Sequence, residues 1–531
     1  MSQLEGAVGW PDEAADRYRA AGYWRGVTFG GLLTEWAARS GDAIAVVDGD
    51  KRITYRELDH QAHVLAAGLV ARGISRGDRL IVQLPNVAEF VVLVFALARI
   101  GAVPVMALPA HRRTEIAHLA ELAGAIGYVI PDTHQGFDHR DLAAEIPSVA
   151  QHVLVVGDPG PFVAFDSIVA EPIDLPAPDA SDVAVLLISG GTTGRPKLIT
   201  RTHDDYAYNA RASAEVCGLS SADRYLVSLP VAHNFPLACP GLLGILGVGG
   251  TAVMAPAPSP DVALPLVERE RITVTALVPP MARMWVDAAA WAKSDWSSLR
   301  MVQVGGSKMD ADLAREIPKV LGCQAQQVFG MAEGLLNYTR DDDSAEILEI
   351  SQGRPLSPDD EVRVVNEDGH DVAPGEIGEL LTRGPYTPRG YFRAEQYNAT
   401  VFTPDGFFRT GDLVRALPTG HLVVEGRIKD VVNRGGEKVP ATELEDLLLA
   451  HPAVAQAAVI GLPDELLGEQ VCAVIVAAEE TQPKLKALKA HLTALGVARY
   501  KLPDRLVVLD EFPLTAVGKI SKRTLVERLS G

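Results

Sequence analysis

A stretch of hydroxyl, glycine and lysine residues follows directly after an apolar run. The run Val183–Ile188 leads into Ser189, Gly190, Gly191, Thr192, Thr193, Gly194, Arg195, Pro196 and Lys197. A strand that enters such a turn exposes backbone N–H groups and hydroxyls, which together can surround a polyphosphate. The stretch does not fit the Walker A register, and a surface turn is the alternative interpretation. We predict a phosphate-binding loop.

Five further segments place charged residues beside glycines. They are Gln327–Gly334, Thr410–Asp412, Gly426–Asp430, Asn433–Lys438 and Pro513–Lys519. With the loop, they resemble the signature segments of the adenylate-forming enzymes, which include acyl-CoA synthetases, firefly luciferase and the adenylation domains of peptide synthetases. Phe329 and Ala332 depart from the usual family pattern in a way that is found in the aryl-acid branch. Because all six segments occur in family order, the resemblance covers nearly the whole chain.

The resemblance implies a first reaction in which ATP and a carboxylate form an acyl-adenylate and pyrophosphate. Two anions must meet, which requires cationic screening and a metal, so Glu333 is implied as the Mg²⁺ anchor. Asp412, with Arg427, is implied to bind the ribose hydroxyls, and Lys519 to bridge the carboxylate and the α-phosphate. A helix-start carboxylate, a turn aspartate and a surface lysine are the respective alternatives. The other implied nucleotide contacts are Gly306, Val328, Phe329, Gly330, Met331, Ala332 and Lys429.

Lys429 lies where the family has its hinge. The resemblance implies that a C-terminal domain turns there between two half-reactions, which places Lys519 in the site first and removes it later. Gly435 and Gly436 would then face a phosphopantetheine arm, because glycine permits close approach of the backbone; a simple turn is the alternative. The implied partner is a phosphopantetheinylated aryl carrier protein, or a carrier domain of a peptide synthetase.

The segment Ala232–Gly241 indicates which class of acid is the substrate. Asn234 stands where most peptide-synthetase domains carry an aspartate for the substrate's ammonium group, and an amide beside an aromatic ring suits a small planar acid. The segment resembles the stand-alone enzymes of siderophore assembly that activate 2,3-dihydroxybenzoate or salicylate. His233 is implied as a catalytic residue that gates the pantetheine tunnel, with a core histidine as the alternative. The implied pocket comprises Asn234, Phe235, Cys239, Gly305, Gly306 and Leu336.

Two pocket residues favour salicylate. Cys239 and Leu336 resemble the salicylate enzymes, whereas the dihydroxybenzoate enzymes tend to carry Ser and Val. A thiol is a weak partner for a 3-hydroxyl group, and Leu adds bulk, although both could be ordinary core residues. We predict a salicylate-activating ligase. An aryl-CoA ligase that uses free coenzyme A and a non-catalytic nucleotide-binding module are the alternatives.

Hydrophobic periodicity indicates which elements would position these residues. Short β-branched runs alternate with segments such as Tyr55–Arg72 and Val87–Ile100, where apolar residues recur every three or four positions. The alternation predicts an α/β fold with two subdomains built on parallel-rich sheets. Short strands over about residues 352–426 predict a small β-barrel. We expect an N-terminal domain at residues 1–426 and an α+β C-terminal domain at residues 427–531, which the family resemblance implies is mobile.

Composition limits the class of protein. The 531 residues are 47% hydrophobic and 22% charged, which predicts a folded globular chain of more than one domain. Lys and Arg number 49 against 68 Asp and Glu, and a net charge of -19 disfavours nucleic acid as a partner. The four cysteines lack metal-binding spacing and are expected to be free thiols. Without a visible signal peptide or an uninterrupted apolar span, we expect a soluble cytoplasmic protein with no membrane partner.

Overall fold

The computed structural model describes residues 4–189, 196–434, 437–464, 467–479, 481–495, 497, 499–515 and 518–530. The chain divides into two compact units. The first comprises Met1–Glu349, Gly353–Glu361 and Thr382–Phe408, and the second comprises Ile350–Gln352, Val362–Leu381 and Arg409–Gly531. The domain boundary expected after residue 426 stays a prediction.

The strands are short, and most begin or end at Gly, Pro, Asp or a charged residue. In chain order they are β1 (Ile44–Asp48), β2 (Lys51–Thr54), β3 (Arg79–Val82), β4 (Val103–Met106), β5 (Gly127–Pro131), β6 (Thr133–His134), β7 (Phe137–Asp138), β8 (His152–Val156), β9 (Val163–Ala164), β10 (Val183–Ile188), β11 (Leu198–Thr202), β12 (Arg224–Val227), β13 (Thr251–Met254), β14 (Val274–Leu277), β15 (Met301–Gly305), β16 (Gln324–Met331), β17 (Gly334–Tyr338), β18 (Arg354–Pro355), β19 (Glu361–Val365), β20 (Ile377–Arg383), β21 (Phe408–Ala416), β22 (Leu422–Arg427), β23 (Val431–Arg434), β24 (Glu437–Pro440), β25 (Val454–Asp464), β26 (Gly468–Ala477) and β27 (Arg505–Leu509).

Helices connect many of these strands. In chain order they are α1 (Asp12–Ala20), α2 (Phe29–Ser40), α3 (Tyr55–Ala71), α4 (Ala88–Ile100), α5 (Arg113–Ala123), α6 (His139–Ala144), α7 (His203–Val216), α8 (Asn234–Ala238), α9 (Gly241–Gly247), α10 (Pro260–Glu270), α11 (Pro279–Ala288), α12 (Ala311–Glu316), α13 (Ala345–Ile350), α14 (Glu395–Val401), α15 (Ala441–Leu449), α16 (Leu485–Ala494) and α17 (Lys522–Leu529).

The first unit contains two large sheets that are rich in parallel pairs. One has nine strands in the order β18-β17-β16-β15-β14-β12-β13-β1-β2, and the other has seven in the order β11-β10-β4-β3-β5-β8-β9. Helices join parallel neighbours; α4, for example, connects β3 to β4. These sheets confirm the predicted α/β class with parallel-rich sheets.

Helix α4 is strongly apolar. All of its residues except Glu89 and Arg99 are buried, and it packs against α3 and α2. A helix that is apolar on every side belongs in a protein interior or in a membrane. Within the described part of the chain, no helix combines the length and the apolar character needed to cross a bilayer.

The second unit contains the α+β module that was predicted near the end of the chain. Its five-stranded sheet has the order β24-β23-β26-β25, with β27 paired to β26. Strands β25 and β26 form a long antiparallel pair, and helices α15 and α17 pack on β25. The stretch predicted as a small β-barrel holds a four-stranded sheet with the order β19-β20-β21-β22, most of which lies in this unit.

All four cysteines are free and buried. Burial raises the pKa of the thiols to about 12 for Cys239 and Cys323 and to about 11 for Cys472, and it also raises the pKa of Cys217. Each thiol is therefore protonated at neutral pH.

Candidate active site

The ends of the predicted phosphate loop are held together by two hydrogen bonds between Ser189 and Lys197. Strands β10 and β11 are antiparallel, and beyond their last pair the Ser189 N–H donates to the Lys197 carbonyl over 2.9 Å. The Lys197 N–H in turn donates to Ser189 Oγ over 3.1 Å. Together these bonds close the stem of the loop. The ammonium group of Lys197 lies 3.9 Å from the ring centroid of Tyr397. Gly190, Gly191, Thr192, Thr193 and Gly194 lie outside the described residues.

Glu333 follows the end of strand β16, where the chain turns into β17. The Tyr391 hydroxyl donates to Glu333 Oε1 over 2.7 Å and so orients the carboxylate. Burial, together with the Glu333 charge, raises the pKa of Tyr391, which keeps that hydroxyl a donor. The described residues hold no group of three or more His, Cys, Asp or Glu placed to bind a metal. A single oriented carboxylate fits Mg²⁺, which completes its six ligands with water and phosphate oxygens.

The segment from His233 to Cys239 forms the short helix α8 and its caps. The Phe235 N–H donates to His233 Nδ1 over 3.2 Å, so this nitrogen carries the lone pair and caps the helix. The His233 side chain is half-buried, whereas the Phe235 ring is buried. The peptide bond after Cys239 is cis.

The Asn234 side chain is held between a tyrosine and a cysteine. The Tyr206 hydroxyl, on helix α7, donates to Asn234 Oδ1 over 2.8 Å. The Asn234 Nδ2 donates to Cys239 Sγ over 3.4 Å. The residue is only 8% exposed, so a polar group that enters this region meets an amide whose direction is fixed.

Glycines allow the strands around this segment to pack closely. A Cβ at Gly305 would lie 2.8 Å from the Val328 carbonyl and 3.0 Å from the Phe235 ring, and a Cβ at Gly330 would overlap the Leu336 side chain. Leu336 is 2% exposed and lies in the same core cluster as Phe235 and Cys239. Gly306 has a φ of +89°, which favours glycine. The structure thus brings the predicted aryl-pocket residues into one region of the first unit.

The end of strand β16 flanks this region. Phe329 and Met331 are half-buried on β16, as is Ala332, which follows it. The Ala332 carbonyl accepts a hydrogen bond of 3.1 Å from the guanidinium of Arg201, which is fully buried beside Asp205 at 2.6 Å. This link joins the predicted nucleotide segment to helix α7, the helix that carries Tyr206.

The second unit holds the other predicted nucleotide residues. Arg427 contacts Asp412 at 2.7 Å across the antiparallel pair of β21 and β22, and the Asp412 N–H donates to Thr410 Oγ1 over 3.0 Å. Burial raises the pKa of Asp412, while the charges of Arg427, Lys519 and Lys429, in that order, oppose the rise. A buried carboxylate with three cations near it suits a group that must accept hydrogen bonds from a ligand.

Lys519 lies on a tight loop near the C-terminus. Its N–H donates to Thr515 Oγ1 over 3.1 Å, and the Thr515 N–H donates to the Lys519 carbonyl over 2.6 Å. Gly518 has a φ of +79°, which a residue with a side chain would resist. These two hydrogen bonds join Thr515 to Lys519. Gly435 and Gly436, the predicted pantetheine glycines, lie outside the described residues.

Sequence reasoning missed three polar residues that hold the predicted ones. Arg201 lies on β11 and Tyr206 lies on α7, and Tyr391 lies far along the chain from Glu333. The four-residue spacing of Arg201 and Asp205 is no signal for this pair, because Arg201 lies on β11, before helix α7 begins. Nothing in the sequence indicates that the pair would be buried.

Two family models match the chain. The AMP-binding enzyme model covers residues 33–392, and the AMP-binding enzyme C-terminal domain model covers residues 443–519. The apo structure of Mycobacterium smegmatis MbtA is 52% identical, with a TM-score of 0.77, and the match covers 99% of each chain.

Three curated relatives match almost end to end. The 2,3-dihydroxybenzoate-AMP ligase of Bacillus subtilis (strain 168) is 53% identical, covering 99% of this chain and 98% of the relative. The salicylyl-CoA synthase / salicylate adenylyltransferase of a Streptomyces species is 53% identical with the same coverage. The salicyl-AMP ligase / salicyl-S-ArCP synthetase of Mycobacterium tuberculosis is 51% identical, covering 99% of this chain and 95% of the relative. The chain therefore belongs to the AMP-binding enzyme family, and it is an adenylate-forming enzyme that uses ATP and Mg²⁺.

Proposed function

We propose that the chain joins a 2-hydroxybenzoate to AMP and transfers the aryl group to the phosphopantetheine thiol of an aryl carrier protein or carrier domain. In the first step a carboxylate oxygen attacks the α-phosphorus of ATP. An acyl–phosphate bond forms, and pyrophosphate leaves with the electron pair of the broken P–O bond. In the second step the thiolate attacks the aryl carbonyl carbon, a thioester forms and AMP leaves. Salicylate is favoured over 2,3-dihydroxybenzoate.

The buried amide of Asn234 is the observation that carries this proposal. It lies between Tyr206 and Cys239, and neither partner is a carboxylate that would neutralise the ammonium group of an amino acid. An amide N–H suits a neutral acceptor such as an ortho hydroxyl. The three relatives, whose names carry salicylate or 2,3-dihydroxybenzoate, support the same class of acid.

Each predicted residue has a role in this scheme. Lys519 stabilises the charge that develops as the carboxylate approaches the α-phosphate, and Asp412 binds the ribose. The loop from Ser189 to Lys197 binds the phosphates. Mg²⁺, held by Glu333, would neutralise phosphate oxygens when bound. The proposed role of His233 is to gate the approach of the pantetheine arm, and that of Gly435 and Gly436 is to permit its close passage.

Free coenzyme A is the second candidate acceptor. The observation in its favour is the name of the Streptomyces relative, which includes a salicylyl-CoA synthase activity. The name of the Mycobacterium tuberculosis relative favours a carrier protein instead. Both acceptors present the same thiol, so the aryl-adenylate chemistry is common to the two.

The acid is tested by pyrophosphate exchange across substituted benzoates, α-amino acids and short fatty acids. We expect exchange with salicylate and, more weakly, with 2,3-dihydroxybenzoate. Exchange that depends on an α-amino acid or a fatty acid, without response to hydroxybenzoates, would reject the proposal.

The acceptor is tested separately. The enzyme is incubated with salicylate, ATP and Mg²⁺ to form the adenylate and is given coenzyme A or a phosphopantetheinylated aryl carrier domain at matched concentrations, and thioester formation is followed by mass spectrometry. We expect a higher kcat/KM with the carrier domain. A higher value with coenzyme A would assign the second candidate function.

A further inference from the structure

Arg201, Tyr206 and Asn209 form a buried polar cluster next to Asn234. Tyr206 is fully buried, and the Arg201 guanidinium lies 4.5 Å from the centroid of its ring. Arg201 also donates to Asn209 Oδ1 over 3.3 Å, and Asn209 Nδ2 donates to the Ala238 carbonyl over 2.7 Å. The cluster thus fixes both the tyrosine and the backbone next to Cys239.

The hydrogen bonds of Cys239 determine the orientation of the Asn234 side-chain amide. The thiol donates to the Asn234 main-chain carbonyl, with 3.5 Å between sulfur and oxygen. Because the S–H is used there, the sulfur can only accept from the amide, so Nδ2 faces Cys239 and Oδ1 faces Tyr206. Burial raises the pKa of Tyr206 well above its ordinary value, which keeps the hydroxyl a donor to Oδ1.

The amide nitrogen has two N–H bonds. Among the described residues, its acceptor is the Cys239 sulfur, which leaves one N–H for a ligand. The carbonyl edge of the amide is engaged by Tyr206. A ligand that reaches Asn234 therefore meets a hydrogen-bond donor rather than an acceptor.

We propose that Tyr206 is a positioning residue that locks the Asn234 amide with an N–H toward the substrate, and that this lock selects 2-hydroxybenzoates against 2-aminobenzoates. The inference rests on the proposed function, because it assumes that the aryl ring lies at Asn234. Tyr206 acts through Asn234 and does not itself contact the substrate.

The two ortho substituents differ in what they present outward. In salicylate the phenolic hydrogen is held by the neighbouring carboxylate, so the oxygen lone pairs face away and can accept from Nδ2. In anthranilate the carboxylate holds one amine hydrogen in the same way. The second amine N–H points outward, toward the N–H of the Asn234 amide. Two donors then face each other without an acceptor, which is costly in a buried site.

The test measures kcat/KM for salicylate and anthranilate by pyrophosphate exchange in the parent and in Tyr206→Phe. The phenylalanine keeps the ring and removes the lock, so the amide can turn. We expect the salicylate-to-anthranilate ratio to fall by at least about tenfold, with the KM for ATP unchanged. In an Asn234→Ala background, Tyr206→Phe should leave the ratio unchanged, because the amide on which it acts is absent.

Tyr55→Phe is the matched control. Its hydroxyl is also buried, and it donates to the carbonyls of Leu246 and Gly250 at 3.1 and 2.6 Å, outside the aryl pocket. This variant should keep the parent ratio. An unchanged ratio in Tyr206→Phe, or an equal fall in Tyr55→Phe or in the Asn234→Ala background, would overturn the inference.

Asn234→Asp provides a second test that does not alter Tyr206. A carboxylate keeps the shape of the amide and still accepts from Tyr206, but it has no N–H for the substrate. We expect its preference to move toward anthranilate, and retained preference for salicylate would contradict the lock. The proposed function is tested separately from this inference. It is rejected if the parent enzyme activates no hydroxybenzoate, before any variant is compared.

Discussion

At the scale of single residues, we propose that Cys239 and Leu336 decide which hydroxybenzoate fits. Both are buried, and the Cys239 thiol, with a pKa raised by burial to about 12, is a neutral and weak hydrogen-bond partner. We expect Cys239→Ser/Leu336→Val to shift selectivity toward 2,3-dihydroxybenzoate by about 5- to 150-fold, because a serine can pair with the 3-hydroxyl and valine makes room. The measurement is kcat/KM for both acids.

Cys323→Ser is the control for that pair. Cys323 is also a buried thiol, but it lies in a different core cluster from Cys239. Its replacement should lower stability and leave the ratio of the two acids as in the parent. A double variant with the parent's selectivity would show that Cys239 and Leu336 do not contact the ring.

The role proposed for Lys519 can be tested in each half-reaction separately. Negative charge concentrates at the α-phosphate during adenylation, whereas the second step expels AMP. We therefore expect Lys519→Ala to slow adenylation by about 10²- to 10³-fold, the usual cost of losing one stabilising donor, and to spare transfer from supplied salicyl-adenylate. Stopped-flow and thioester assays measure the two steps. Lys486→Ala, on the exposed side of α16, should change neither, and equal losses in both steps for Lys519→Ala would contradict the division of roles.

Residues of short motifs could be predicted from the sequence, whereas the residues that hold them could not. Asp412 and Lys519 are recognised because neighbouring glycines and hydroxyl residues repeat a family pattern. Tyr206 and Tyr391 lie 28 and 58 positions from the side chains that they orient. Such pairs form only when sheets and helices assemble, so no local spacing records them.

At the scale of elements, the start of helix α3 shows how local chemistry fixes a boundary. The Glu57 N–H donates to Thr54 Oγ1 over 3.2 Å, and the Thr54 N–H donates to Glu57 Oε2 over 2.8 Å. We expect Thr54→Ala to lower the free energy of unfolding by about 1 kcal/mol, because helix N–H groups lose their acceptor. Urea unfolding at pH 7 measures the change.

The same capping box predicts a dependence on pH. The Thr54 N–H, and then its hydroxyl, lower the pKa of Glu57 below its ordinary value. A lowered pKa in the folded state stabilises the protein above the ordinary carboxylate pKa, and this contribution is lost as the pH falls through the folded value. The difference in urea midpoint between the parent and Thr54→Ala should therefore shrink at acid pH, and a difference that grows on acidification would contradict the carboxylate's part.

Hydrophobic periodicity was sufficient for most elements of the two sheets in the first unit. The helix predicted at Tyr55–Arg72 is Tyr55–Ala71, and the one predicted at Val87–Ile100 is Ala88–Ile100. Strand order was not predictable in this way, since β1 pairs with β13, which lies about 200 residues further along the chain. Pairing between distant strands depends on tertiary packing, which a local pattern does not contain.

At the scale of the whole molecule, the proposed reaction needs two arrangements of the chain. Lys429 lies in a short helical turn, Ile428–Asp430, between β22 and β23. Proline fixes φ, so Lys429→Pro should restrict a hinge there. We expect pyrophosphate exchange to persist and thioester formation to fall at least about tenfold. Lys429→Ala removes the charge without fixing φ, so any effect of the lost nucleotide contact should appear in exchange as well as in transfer; loss of exchange alone in the proline variant would contradict the hinge.

Because its four thiols are buried, the folded chain should react little with maleimides and iodoacetamide. Such reagents attack thiolates, and burial keeps all four sulfurs protonated and covered. A native sample should consume less than about one equivalent of a thiol reagent at neutral pH and four after unfolding in urea. A dye attached through Lys486→Cys would then be the single label on the molecule. The fluorescence of this dye could report on the C-terminal part of the chain during turnover, without replacement of Cys239.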